Sequence, residues 1–225
     1  MTLPGSPRLR YDQLPAGLRT AVDAALGSPV VTASPRTGGF SPGPAAVLTC
    51  ADGSRAFVKA VGTPLNPDTP DLLRSEARIA AALPAGLPVP RLRAHLEVTD
   101  GAEEWVALLF EVVDGANPPL LWTAGTATRV LAALSAFTAA TTPCPVPGLP
   151  PLAERLTREL TAWPLLRDAP PADLDRWEAD RLDELAGLPA RLAARAALAG
   201  DALVHLDLRA DNLLLTPSGE VVLLD

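Results

Sequence analysis

Apolar and polar residues follow a strand-like pattern in the first half of the chain and a helix-like pattern in the second half. Short apolar runs at residues 45–49 and 56–61 flank the turn Asp52-Gly53, which predicts a β-hairpin. Residues 93–98 and 105–113 predict two more strands. The first half therefore predicts a small β-rich region.

Helical spacing predicts one helix within this β-rich region, over residues 69–83, with Pro70 in its first turn. Beyond Asp114-Gly115 the apolar residues recur at helical spacing. Three more helices are predicted, over residues 126–140, 151–163 and 173–198, the last with a break near Pro189. A small lobe of strands, a connector and a larger helical lobe fit this order.

Composition and charge narrow the function classes. The chain has 225 residues, of which 48% are hydrophobic, enough for one large domain or two modest lobes. Its net charge of −7 argues against nucleic acid and anionic membranes as partners. Without an 18-residue apolar run or a signal sequence at the N-terminus, we expect a soluble, cytoplasmic protein. Cys50 and Cys144 lack the spacing of a zinc site.

The last 21 residues contain the most informative pattern. His205, Asp207 and Asn212 have the offsets H-x-D-x-x-x-x-N, and a predicted hairpin then ends on Asp225. Phosphoryl-transfer enzymes use such a set to hold a hydroxyl acceptor and magnesium around a nucleoside triphosphate. The alternative is a buried loop with a hydrogen-bonded histidine.

A possible ion pair links two segments of the β-rich region. On the predicted helix, Leu72, Glu76, Ile79 and Leu83 share one face, so that Glu76 interrupts an apolar stripe. Lys59 lies on an apolar strand and has the same need for a partner. We expect the two charges to pair. Alternatively, Glu76 lies at the edge of the stripe and pairs with Arg78 or with nothing.

These separated features occur in a meaningful order: glycine-rich turn, strand lysine, helix glutamate, connector, catalytic loop and metal acid. From about Val31 to Asp225 the chain resembles the aminoglycoside phosphotransferase and choline-kinase-like family, whose fold is that of the protein kinases. The resemblance implies an α+β, two-lobed fold. Residues 1–110 would form the nucleotide-binding lobe, 111–115 the hinge, and 116–225 a mainly helical lobe that lacks the last helices of the family.

The resemblance also implies roles on the nucleotide side of the site. Lys59 would contact the α- and β-phosphates of ATP and be oriented by Glu76. Gly39 and Ser41 belong to the glycine-rich turn that would cover the nucleotide. Two residues of the hinge-like segment, Glu111 and Val113, would bind adenine through their backbone.

On the catalytic side, Asp207 would position the acceptor hydroxyl and take its proton. Asn212 and Asp225 would ligate Mg2+, which prefers hard oxygen ligands. Arg209 would reach the transferring phosphoryl group, or else pair with Asp211. His205 is expected to brace the loop through hydrogen bonds.

The predicted function is therefore an ATP- and magnesium-dependent phosphotransferase that acts on a hydroxyl of a small molecule, such as an aminoglycoside-like compound, an amino alcohol or a sugar. One alternative is a truncated or degenerate kinase fold that binds nucleotide without turnover. Another is a metal-dependent hydrolase that uses Asp207, Asp211 and Asp225, although this leaves Lys59 and Glu76 unexplained. Because the family continues beyond the metal acid, we expect strand 220–224 to expose apolar surface.

Overall fold

The chain forms two compact units, of which the first comprises Met1–Ala140 with His205–Asp225 and the second Thr141–Val204. The computed structural model describes residues 8–36, 42–119, 121–193 and 199–224. None of the described helices has the length and hydrophobicity needed to span a membrane.

A five-stranded antiparallel sheet dominates the first unit. Its strands are β1 (Val30–Pro35), β2 (Ala45–Cys50), β3 (Arg55–Gly62), β4 (Leu92–Asp100) and β5 (Glu103–Phe110), in the order β1-β2-β3-β5-β4. The four predicted strands are confirmed, and β1 is an addition that the sequence pattern did not indicate. The last strand ends at Phe110 rather than Val113, so residues 111–113 form the connector that follows the sheet.

Helices cover both faces of this sheet. Helix α1 (Ala16–Leu26) buries Leu18 and Val22 against one face, whereas α2 (Thr69–Ala82) buries Leu73 and Ala77 against the other. The central strands alternate between these two cores, as the period of a β-strand requires. Helix α1 was not predicted, although its buried residues have the i, i+4 spacing of an amphipathic helix.

The buried face of α2 differs from the predicted one. Leu73 is only 6% exposed, whereas Leu72 is 66% exposed. The predicted stripe of Leu72, Glu76, Ile79 and Leu83 is therefore wrong. One residue along a helix turns the side chain by about 100°, and of the two adjacent leucines it is the second that faces the sheet. This rotation places Glu76 beside the buried stripe, next to Ala77.

A helix and a short hairpin complete the first unit. Helix α3 (Ala124–Ala140) packs against a hairpin of β6 (Leu213–Leu215) and β7 (Val221–Leu223). The expectation that strand 220–224 exposes its apolar side chains is wrong for Val221 and Leu223, both of which are buried. The other edge of β7 is also engaged, because the Leu223 amide donates to the Pro88 carbonyl at 2.7 Å.

The second unit contains shorter helices than predicted. They are α4 (Leu152–Leu160), α5 (Ala162–Asp168), α6 (Arg176–Ala179), α7 (Leu182–Ala186) and α8 (Leu188–Ala193). The helix predicted over 173–198 with a break near Pro189 is divided into three, and one of its two interruptions is at Gly187, close to the predicted break. Residues 194–198 of the predicted helix lie outside the described range. Proline fits the first turn of a helix, where no intrahelical N–H bond is lost, and Pro189 is the second residue of α8.

The rotated face of α2 predicts different effects for its two adjacent leucines. Leu73→Ala should lower the free energy of unfolding by about 2–5 kcal/mol, because it removes buried methyl groups and leaves a cavity. The matched Leu72→Ala should change it by less than about 0.5 kcal/mol, as expected of an exposed position. Urea denaturation measures both, and a larger loss for Leu72→Ala would restore the originally predicted face.

Candidate active site

Lys59 and Glu76 form an ion pair, as predicted. The Lys59 Nζ lies 2.9 Å from Glu76 Oε1, and the two side chains are 22% and 26% exposed. On β3, Val58 and Ala60 point to the α1 core, so Lys59 between them points to the face that α2 covers. The partner of Glu76 is therefore Lys59 and not Arg78, the alternative that the sequence left open.

The ammonium of this ion pair also lies near an aromatic ring. The ring of Phe110 lies 5.9 Å from Lys59 Nζ, at the outer limit of a cation–π contact. Lys59 is also the single lysine in a chain with 19 Lys and Arg residues. An ammonium is a compact point charge, whereas a guanidinium is a wide planar fork. Among the Lys and Arg side chains of the sequence, Lys59 alone is an ammonium, and the others are guanidinium groups.

Arg74 anchors α2 to the sheet two residues before Glu76. Its guanidinium donates to Glu97 at 2.9 Å and to Glu104 at 2.8 Å, on β4 and β5 respectively. The hydrogen bonds from Arg74 lower the pKa of the Glu97 carboxyl below its ordinary value. This network helps to fix the helix that presents Glu76.

The predicted catalytic loop is held by hydrogen bonds at both ends. The Asp207 amide donates to His205 Nδ1 at 3.3 Å, so Nε2 carries the proton and donates to the Leu224 carbonyl at 2.9 Å. The Leu224 amide in turn donates to the Asn212 carbonyl at 2.9 Å. The hydrogen bonding expected of His205 is confirmed. Leu224, the residue before Asp225, is bonded to the loop through both its carbonyl and its amide.

Within the loop, Asp207 and Asn212 are brought together. Asn212 Nδ2 donates to Asp207 Oδ2 and to the Asp207 carbonyl, both at 2.9 Å. Asn212 is buried, whereas the side chain of Asp207 is 60% exposed. The loop thus presents a carboxylate whose orientation is set by a buried amide.

Arg209 takes the pairing with Asp211. Its guanidinium donates to both carboxylate oxygens of Asp211, at 3.1 and 3.0 Å, and its Nε lies 3.5 Å from Asp207 Oδ1. The bond to Asp211 raises the pKa of Arg209 above its ordinary value. A bidentate pair of this kind holds the guanidinium in a fixed plane.

The remaining predicted residues are placed less fully. The Glu111 amide donates to the Arg91 carbonyl at 3.0 Å, while the Glu111 carboxylate accepts from the Arg91 amide at 3.1 Å. Val113 lies two residues further along the connector and is half-buried. Gly39, Ser41 and Asp225 lie outside the described residues.

One residue that the sequence pattern did not indicate also reaches the loop. Asn117 Nδ2 donates to the carbonyls of Leu213 at 2.8 Å and Asp211 at 3.1 Å, with Ala210 at 3.5 Å. Asn117 precedes these acceptors by more than 90 residues, and a lone asparagine in a proline-rich connector carries no signal that would predict this contact.

Comparison with known proteins identifies the family. The family model described as "Phosphotransferase enzyme family" (APH) matches residues 29–225. The chain belongs to this phosphotransferase family. No curated protein matches it in sequence.

Solved structures show the same fold. The chain is similar to the amicoumacin kinase hAmiN in complex with AMP-PNP, Ca2+ and Ami, with 15% identity and a TM-score of 0.59 over 92% of this chain and 62% of that one. It is also similar to an aminoglycoside-3'-phosphotransferase of type VIII, with 24% identity and a TM-score of 0.56 over 92% of this chain and 76% of that one. The phosphotransferase fold expected from the sequence is thereby confirmed, in a chain that spans less than two thirds of the length of the amicoumacin kinase.

Proposed function

We propose that this member of the phosphotransferase family transfers the γ-phosphoryl group of ATP to a hydroxyl of a small molecule, with magnesium. The observation that carries the proposal is the Lys59–Glu76 pair in the same compact unit as the Asp207–Asn212 loop. Phosphoryl transfer requires alignment and charge neutralisation more than a strong base. A fixed cation and an oriented carboxylate meet these two requirements.

On the nucleotide side, Lys59 would contact the α- and β-phosphates. An ammonium has three donors, and the bond to Glu76 directs one of them. Adenine would bind along the connector. The Glu111 amide already donates to the Arg91 carbonyl, so Glu111 would contact the base through its own carbonyl, as an acceptor. The Val113 amide would donate to the base, and Gly39 and Ser41 would cover the phosphates.

The loop offers oxygen atoms suited to magnesium. Because Asn212 donates both of its observed side-chain bonds through Nδ2, its Oδ1 is the atom that would bind a hard cation. Asn212 and Asp225 would hold the ion. When bound, magnesium would supply positive charge against the phosphates.

Asp207 would receive the acceptor hydroxyl. Its exposed carboxylate is oriented by Asn212, so that a hydroxyl donor reaching it would be aligned for attack on the γ-phosphoryl group. Arg209 would contact that group only after giving up part of its pairing with Asp211.

Hydroxyl-bearing molecules such as aminoglycosides, amino alcohols and sugars are the proposed acceptors. The names of the two similar structures, an amicoumacin kinase and an aminoglycoside phosphotransferase, support this choice. The net charge of −7 favours a cationic acceptor.

A carboxylate-cluster hydrolase has less support. It leaves the Lys59–Glu76 pair without a role. Asp211, one of the required acids, is engaged by Arg209.

ATP with magnesium should raise the melting temperature of the wild-type chain. At a ligand concentration of 100 times Kd, binding adds about 2.7 kcal/mol to the free energy of unfolding, which corresponds to several degrees for a protein of this size. Lys59→Ala should abolish the increase. Lys59→Arg, which keeps the charge but not the compact ammonium, should recover only part of it. Thermal-shift measurements test this, and the absence of any increase in the wild type contradicts nucleotide binding.

Asp207→Asn should separate catalysis from binding. The substitution keeps an oxygen that accepts from Asn212 but removes the base, so phosphoryl transfer should fall by about 10²–10⁴-fold with ATP binding retained. Asp100→Asn, which removes an exposed carboxylate at the end of β4, is the matched control and should retain the activity. ATP consumption is measured with a panel of aminoglycosides, choline, other amino alcohols and sugars. Full activity of Asp207→Asn rejects its proposed role, and no consumption by the wild type with any acceptor favours nucleotide binding without turnover.

A further inference from the structure

Asn117 holds the backbone of the catalytic loop on both sides of Asn212. Its Nδ2 donates to the carbonyl of Asp211, which precedes Asn212, and to the carbonyl of Leu213, which follows it. The third carbonyl within reach, that of Ala210, belongs to the same turn. One side-chain amide therefore gathers three carbonyl dipoles whose negative ends would otherwise repel one another.

The backbone next to Asn117 is joined to the same hairpin. Ala116 and Leu215 exchange two hydrogen bonds, at 3.1 and 2.8 Å. The chain at Gly115 approaches so closely that a Cβ there would lie 2.9 Å from the Leu215 carbonyl oxygen. Asn117 is thus the last of three consecutive residues that fix the connector to the loop.

The other end of this connector is the proposed adenine-binding segment. Only three residues separate Val113 from Asn117, and among them Asp114 pairs with Arg55 on β3 at 3.1 Å. The segment is consequently anchored to the sheet at one end and to the catalytic loop at the other. A short, doubly anchored segment transmits position from one end to the other with little freedom.

We infer that Asn117 is a positioning residue for metal binding, because it fixes the loop segment from which Asn212 would offer Oδ1 to the ion. This inference rests on the proposed function and assigns a role to a residue outside the catalytic motif. Loss of a group that orients a metal ligand without touching the metal lowers the affinity of the site for the metal by about 10–100-fold. Asn117 would act in this way through the Asn212 backbone.

The test uses Asn117→Asp, which keeps the side-chain shape but directs a carboxylate oxygen at three carbonyl oxygens. Mn2+, which takes the same oxygen ligands as Mg2+, serves as the probe. Its affinity for the complex of the full chain with AMP-PNP is measured by electron paramagnetic resonance, with AMP-PNP alone as the reference. Asn66→Asp is the matched control, because it adds the same charge while keeping the acceptor for the Asp68 amide.

The expected result is a loss of about tenfold or more in Mn2+ affinity for Asn117→Asp, with wild-type affinity for Asn66→Asp and unchanged AMP-PNP binding without metal. Equal Mn2+ affinity in Asn117→Asp and the wild type overturns the inference and leaves the proposed function intact. If the wild type with AMP-PNP binds no more Mn2+ than AMP-PNP alone, the proposed function fails and the inference fails with it.

A second variant covers the case in which Asn117→Asp does not fold, which circular dichroism would show. Asn117→Ala removes the donor without adding a charge, and it should weaken Mn2+ binding by at least about threefold, below the range for a full loss of orientation. Mn2+ affinity equal to that of the wild type in a folded Asn117→Ala protein also overturns the inference.

Discussion

The ion pair between Lys59 and Glu76 is the interaction on which the proposed nucleotide side of the site depends. Each charge sits at the margin of an apolar core, where an unpaired charge is costly and a paired one is tolerated. The pair therefore fixes the position of α2 relative to β3 as well as the direction of the ammonium. Arg74 supports the same geometry from the outer side of the helix, through carboxylates on β4 and β5.

The proposed catalytic loop depends on backbone hydrogen bonds more than on charge. His205 reaches the Leu224 carbonyl, the Leu224 amide reaches the Asn212 carbonyl, and Asn117 holds the carbonyls on either side of Asn212. With its backbone fixed in this way, the loop can expose Asp207 to solvent without losing the orientation of its carboxylate. An ion pair thus stabilises one part of the proposed site, around Lys59, and hydrogen bonds stabilise the other, around Asp207.

Features that depend on local chemistry could be predicted from the sequence. The strands around Asp52-Gly53 follow from alternation and turn residues, and the pairing of Lys59 with Glu76 follows from the need of each for a partner. The rotation of α2 could not be predicted, because Leu72 and Leu73 are equally apolar and only the tertiary packing selects between them. Over 173–198, helical spacing and Pro189 likewise indicated helices with a break near that proline, but not the second interruption, between α6 and α7.

Contacts between distant segments were the least predictable. Asn117 and the loop it supports lie more than 90 residues apart in the sequence, and no local sequence pattern predicts their contact. The burial of Val221 and Leu223 was missed for a related reason, since the helix that covers them comes from residues 124–140. Family resemblance supplied the proposed roles of the site residues, but the contacts that support those residues came only from the packed structure.

The most direct test of the central claim uses the single lysine of the chain. An acyl-phosphate derivative of ATP transfers its acyl group to an amine next to the bound phosphates, and mass spectrometry locates the modified residue. The account predicts acylation of Lys59 that excess ATP with magnesium suppresses, while the N-terminal amine serves as an internal reference for non-specific reaction. Acylation confined to the N-terminal amine, or acylation of Lys59 that ATP does not suppress, would contradict it.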